Sequence, residues 1–398
     1  MSGRRWVAAV AVAGLVAGCS PAYVLRAAYG EAKILWRRVP IEDVLAHGDL
    51  DPASRRKLHL VLDARRFAAG VGLDVGGSFG GLSWVDAEDT VFVVTASKRT
   101  ALAPYVWWFP IVGSLPYKGY FDRARAEAEA ARLEDEGYDT LVRPAAAFST
   151  LGWFDDPLLR HLLAADEVFL VDLVLHETYH RTFFLKGAQV SAFNESLATF
   201  VGHRGAIAFF AARAGDEDLA RRAEERWADQ LVFAAFLRRL VDRLETLYGG
   251  DDDVDAVLAA RARIFAAARE EARTLPFATA RFTGFGTAPL NNAVVVHYRL
   301  YARELDLFER VWRHAGGLAP ALAVIEDAAR AAPEKPFDAV RRTVAAAPDA
   351  AAATGPSEVV EPLEVVLDVD EEIGQPDVVE PERARRRGLE DMRVGPRP

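Results

Sequence analysis

Two histidines one helical turn apart, with a carboxylate beside the first, carry the chemistry of this chain: His176-Glu177-Thr178-Tyr179-His180. Residues i and i+4 of an α-helix project from one face, so both imidazoles can grip a single metal ion. Glu177 can reach a metal-bound water without being a ligand itself. This is equipment for hydrolysis, with Zn2+ as the implied cofactor and Glu177 as the catalytic base. A catalytic zinc keeps three protein ligands and leaves the fourth position to water. Glu195 can supply the third from an adjacent antiparallel helix, with fourteen residues between it and His180.

The motif needs a helix to hold it. Residues 166–186 read as one mostly apolar helix, with no proline or glycine before Gly187. A helix apolar nearly all round is a buried one. Burying two histidines and a glutamate is costly unless a divalent cation compensates. The plain alternative is a structural helix whose early glutamate suits the helix dipole; burial, spacing and the third carboxylate weigh against it. After Gly187, Ser191-Ala-Phe-Asn-Glu-Ser-Leu-Ala-Thr-Phe opens the second helix.

Upstream the chain reads as helical first and β-rich second. Ala22–Trp36 and Ile41–Gly70 have helical phasing, broken at Asp51-Pro52. Thr90–Thr95, Tyr105–Phe109 and Thr140–Arg143 read as strands, and Arg123–Gly137 as a helix between the last two. Asp156-Pro157 reads as an N-cap leading into a helix over Leu158–Ala165. Downstream, Ala206–Tyr248 and Val254–Leu275 form a long helical pair.

The chain resembles the bacterial putative aminopeptidases, envelope zincins in which an HExxH is followed by an Asn-Glu-Ser/Ala-x-Ala element. Five segments carry the resemblance: Phe109–Asp122, Phe148–Leu159, His176–His180, Asn194–Phe200 and Leu290–Ala293. It implies a zinc-dependent peptidase with His176, His180 and Glu195 as ligands and Glu177 as the base. It also implies one α+β zincin-like unit: a small sheet over the HExxH helix, followed by a helical C-terminal part. Arg181 departs from the pattern, standing where many zincins keep an uncharged residue, and puts the local packing in question.

Such a site also needs a donor for the oxyanion of the tetrahedral intermediate. Asn291, Asn292, His297, Tyr298 and Tyr301 cluster in one segment, where His297 and Tyr301 share a face if it is helical. Tyr117, Lys118 and Tyr120 compete with them. The expectation is Tyr301 and His297 in catalysis, with Tyr117, Tyr120, Asn291 and Asn292 binding substrate. For any one of these the structural reading is strong, since tyrosines edge cores and Asn-Asn can be a cap or turn. Asp172 could orient His176, and His203 is expected outside the ligand set. The chain has no Gly-x-Met-Glu-Asn element to anchor a substrate amine, so exo- and endopeptidase action both stay open.

The ends set the compartment. Arg4-Arg5, the apolar run Trp6–Ala17 and Leu15-Val-Ala-Gly-Cys19 make a signal peptide over residues 1–18 that ends like a bacterial lipobox. Cys19 is then the lipidated first residue, and Ser20 after it resembles an outer-membrane sorting signal facing the periplasm. Cys19 is also the only cysteine, which excludes a thiol nucleophile or a disulfide framework elsewhere. The net charge of −10 comes from the tail, because residues 349–382 hold eleven acidic side chains and no Lys or Arg. The expected organisation is a metallopeptidase domain over 19–344 and a disordered acidic tail over 345–398. No basic patch with interleaved aromatics appears, which excludes nucleic acid as a partner. The expected partners are a peptide or protein substrate and a membrane reached through the lipid anchor. A zinc-binding envelope lipoprotein with a scaffold role and no turnover is the alternative; an intact Glu177 argues against it.

Overall fold

The computed structural model describes residues 21–84, 91–109, 113–145, 155–251 and 253–346. Cys19, the signal segment, most of the Phe148–Leu159 block and all of the tail beyond Ala346 lie outside them. The described residues open with three helices, α1 (Pro21–Trp36), α2 (Ile41–His47) and α3 (Pro52–Gly70). The break falls at Asp51-Pro52, as read from the sequence. The Asp51 carboxylate accepts from the Ala53 and Ser54 amides at 3.0 and 2.9 Å, and Pro52 forms the first helical residue.

Among the described residues the strands form three small sheets, the first beginning between α1 and α2. β1 (Arg38–Pro40) pairs antiparallel with β2 (Gly81–Ser83). β3 (Phe92–Lys98) is the centre of the second sheet, and β4 (Trp107–Phe109) pairs with β5 (Gly113–Leu115). β6 (Lys118–Tyr120) and β7 (Tyr138–Pro144) flank β3, both antiparallel, so β7 is an edge of that sheet. Side chains alternate faces along a strand. Tyr138 and Val142 therefore join the core built by Ala126, Ala130 and Leu133 of α4 (Arg123–Asp135), while Leu141 joins a different core on the opposite face.

The helix expected over 158–165 does not form. Leu158–Leu159 is a strand, β8, adding in parallel to Leu82–Ser83, and only Arg160–Ala164 turns as a 3-10 helix. Both leucines are buried, so sheet pairing and core burial outweigh the Asp-Pro cap signal. The small sheets and the many helices together make an α+β fold.

The motif helix, α5 (Glu167–Thr182), starts at Asp166, whose carboxylate accepts from the Phe169 amide at 3.0 Å. It ends four residues before the sequence suggests. Phe183 turns extended, and its buried ring packs on Tyr179 and Phe193. Gly187 then takes φ +121°, a conformation other residues rarely adopt. The second helix, α6 (Ser191–Ala211), is buried without a break from Phe193 to His203. Long helices follow: α7 (Glu217–Tyr248), α8 (Val254–Arg273), α9 (Asn292–Ala302), α10 (Leu305–Ala315), α11 (Leu318–Ala331) and α12 (Pro336–Ala346). The helix read as starting at Ala206 is two helices, separated at Gly215, which has φ +88°.

Helix α6 lies directly against α5, and two glycines make the approach possible. A Cβ at Gly202 would stand 2.2 Å from Asp172 Oδ1 and 2.8 Å from the Asp172 backbone oxygen. At Gly205 it would stand 2.7 Å from Leu175 Cδ1. The Asp172 backbone cannot move without shifting the helix that carries both histidines. Gly202→Ala should therefore cost roughly 1–3 kcal/mol or more of stability, as overpacking does. Thermal unfolding tests this, with Gly70→Ala as the control, since Gly70 is helical and a Cβ there would meet nothing within 4 Å; an unchanged melting temperature for Gly202→Ala would refute the close approach.

Candidate metal centre

His176 and His180 leave one face of α5, and Glu195 leaves α6 just past its first turn. Their nearest atoms form a tight triangle. The two Nε2 atoms are 3.2 Å apart, and Glu195 Oε2 is 3.6 Å from that of His176 and 3.5 Å from that of His180. Ligands at about 2.1 Å around a tetrahedral ion stand about 3.4 Å from one another. The triangle thus has the edge lengths of such a shell. His180 and Glu195 are buried and His176 is half-buried, and the three together could hold a metal ion.

The electrostatics point the same way. Burial pushes the Glu195 carboxyl up, but His180 and His176 more than offset it and hold it well below the usual carboxylate range. Burial pushes His180 down, while Glu195 and then Glu177 overcome this and raise it above its ordinary 6.5. The trio therefore draws positive charge into a buried place, a proton or a cation. Glu177 lies beside it with Oε2 buried and without a hydrogen-bond partner, an unusual state for a carboxylate oxygen.

Local bonds explain the Asn-Glu-Ser element around Glu195. The Asn194 amide clamps Leu185 in both directions, accepting from its N–H at 3.1 Å and donating to its carbonyl at 2.7 Å. This fixes the connector from α5 to the first turn of α6. Ser196 Oγ donates to the Leu300 carbonyl at 2.8 Å and accepts from the Arg303 amide at 2.9 Å, tying the end of α9 to α6. Glu195 thus sits between two fastened neighbours. Neither role was legible without the tertiary partners.

The opposite wall comes from α9 and β7. The Tyr301 ring lies 6.3 Å from the His176 ring and 5.4 Å from that of His297, so the shared helical face is present. Burial, then Arg143, pushes His297 well below its usual value, so its imidazole is neutral. Burial and the Glu195 charge raise the phenols of Tyr301 and Tyr117, which stay protonated donors. Arg143 lies beside the Tyr301 hydroxyl. The sequence marked it only as the end of a strand.

Three expected substrate residues are elsewhere or occupied. Asn291 caps α9, accepting from the Val294 amide at 2.9 Å and donating to the Thr140 carbonyl at 3.0 Å. Asn292 is fully buried, accepts from the Tyr248 hydroxyl and donates to the Lys98 carbonyl. Tyr120 packs edge-on against Tyr23 of α1, with the Lys118 ammonium over its ring. Packing claims all three, because each side chain is already satisfied by protein. Asp172 faces α6 instead of serving His176 alone, with Oδ2 3.6 Å from His203 Nε2. His203 accepts from Arg281 Nη1 at 3.0 Å, outside the metal group. Arg181, the departure from the pattern, points away to Asp74 and Asp155 at 3.2 and 3.4 Å and leaves the ligands untouched.

Residues 22–334 match a family model described as putative aminopeptidase. Nothing among the curated proteins or the solved structures matches the chain. Among the described residues, no helix is long and apolar enough to cross a membrane.

Protons and a cation compete for the same nitrogens. Because His180 titrates above its ordinary range in the metal-free site, metal affinity should be high at alkaline pH and fall as pH drops through that raised value. Equilibrium dialysis of zinc across roughly pH 5 to 8 tests this. Affinity flat over that window, or unchanged in His180→Ala, would rule the trio out as the binding site.

Proposed function

The chain belongs to the putative aminopeptidase family, and from that premise we propose that it is a zinc-dependent, zincin-like peptidase. The observation that carries the reading is the triangle of His176, His180 and Glu195 with the bare Glu177 oxygen beside it. His176, His180 and Glu195 would hold the zinc. When bound, it would supply Lewis acidity at the scissile carbonyl and lower the pKa of water.

The protein's own groups account for the remaining work. Glu177 takes the proton of the attacking water through its unpartnered oxygen and passes it to the leaving amine. Tyr301 and Tyr117, both held protonated, donate hydrogen bonds to the oxygen that gains charge. Neutral His297 backs Tyr301 and can donate through one ring nitrogen. The burial that raises the two phenols also limits water at the site, which strengthens each of these interactions.

Glu177→Gln should keep its metal and lose turnover, whereas Glu195→Ala should lose both. Removal of one oxyanion donor typically costs about 10²–10³ in kcat, so Tyr301→Phe should fall in that range with metal content unchanged. The assay is a mixed peptide library read by mass spectrometry beside metal analysis. Full activity in Glu177→Gln would sink the mechanism, and metal without any cleavage in the unaltered protein would favour the scaffold alternative. As to place, we read Cys19 as the lipid-bearing residue that holds the enzyme at the envelope, in the outer membrane facing the periplasm. Cys19→Ser should then move the protein from the membrane fraction to the soluble one; retention in the membrane would refute the anchor.

A further inference from the structure

Strand β7 and helix α9 run side by side in the same direction. At one end, Asp139 Oδ2 accepts from the Asn292 amide at 2.9 Å; at the other, Arg143 reaches Tyr301. The spans agree: four strand residues rise about 13 Å and nine helical residues about 13.5 Å. Asp139, Leu141 and Arg143 share the strand face turned to α9. Leu141 packs in the core that holds Val294 and Val295, and Asp139 ties the pair to α8 through Arg261 at 2.7 Å. Arg143 is therefore delivered to the wall of the metal centre by rigid elements.

Its surroundings there are unusual for an arginine. Among the described residues Arg143 has no carboxylate within salt-bridge distance, whereas most of the other arginines that line helices pair with an acid. Its Nε is buried with no acceptor, Nη1 makes a 3.3 Å contact to the neighbouring Pro144 carbonyl, and a side-chain hydrogen bond reaches Tyr301. The acids near the wall are Glu177 and Glu195, and both already have tasks. With a divalent cation bound, Glu177, Glu195 and Arg143 together leave about one net positive charge in the site. Among the described residues, Glu177 and Glu195 are the carboxylates that act most strongly on Tyr117, Tyr301 and His297.

We propose that Arg143 is a substrate-anchoring residue whose guanidinium pairs with a carboxylate of the bound peptide, so that the site selects substrates by an anionic group near the scissile bond. An arginine fork is suited to this, since it binds a carboxylate through two parallel hydrogen bonds. The carboxylate is either the free C-terminus of a short peptide or an acidic side chain. The inference rests on the peptidase reading and specifies which substrates that same site takes.

The test uses the full chain and tetra-alanine in three forms: free acid, C-terminal amide, and amides carrying one glutamate at each position in turn. The unaltered protein should cleave a carboxylate-bearing form roughly 10–100-fold better in kcat/KM than the plain amide, the range of a charged hydrogen bond. A preference for the free acid identifies the C-terminus, and a preference for a glutamate amide identifies the side chain. Arg143→Gln should bring the ratio near one by losing far more on the carboxylate-bearing form than on the plain amide, and Arg143→Lys should keep part of the preference. Equal cleavage of the free acid, the plain amide and every glutamate amide by the unaltered protein overturns the proposal. So does an equal loss on the carboxylate-bearing and plain forms in Arg143→Gln, which would make Arg143 a prop for Tyr301. Calorimetric binding of the same peptides to Glu177→Gln protein separates the two readings: if no peptide is cut yet the acid binds more tightly and loses this with Arg143→Gln, the peptidase reading fails and the anchor stands.

Discussion

The site depends on how closely two buried helices approach. His176 and His180 are fixed to α5 and Glu195 to α6, so the triangle exists only because α6 can lie against α5. Gly202 is the contact point, where any side chain would meet the Asp172 backbone. The same approach that forms the ligand set also buries it, and burial makes the three donors demand a cation. Packing and chemistry are thus one constraint. A slightly wider helix pair would leave an ordinary i, i+4 histidine pair beside a distant glutamate.

Around that contact the molecule fastens each moving part. Asn194 holds the connector, Ser196 holds the end of α9, and the fully buried Tyr179 bonds Glu326 of α11 at 3.1 Å. The HExxH element is therefore anchored on the side away from the ligands as well. Arg181 and Gly76 show the same economy of space: the guanidinium lies where a Cβ on Gly76 would be, only 2.4 Å from its Cζ, and its acids wait on either side. The departure from the family pattern is a local pairing with the loop around Asp74 and Asp155.

The far wall is rigid for a different reason. Asp139 is buried on β7 where the start of α9 and Arg261 converge, and its carboxylate accepts from the Asn292 amide and from Arg261. That knot fixes the register of β7 against α9, and with it the positions of Arg143, His297 and Tyr301. These groups face the metal triangle as two neutral donors and one cation. A site so arranged is polarised, with the Glu177 carboxylate on the motif helix and the Arg143 charge opposite.

How much of this was legible follows from what each feature needs. The motif, its helix, the carboxylate that joins the two histidines and the Asp51-Pro52 break were readable because they rest on spacing within one or two elements, where backbone geometry alone fixes which residues share a face. The Leu158–Leu159 strand, the early end at Phe183 and the roles of Asn291 and Asn292 were not, since each was decided by a partner far along the chain: Leu82, Phe193, Thr140 and Lys98. The same holds for Arg143, an unremarked strand residue until β7 meets α9. Sequence determined which atoms could bind a metal and take a proton, because helical periodicity is local. Only the tertiary structure decided which side chains face them, because that depends on helix approach and strand register, which side-chain packing sets over long separations.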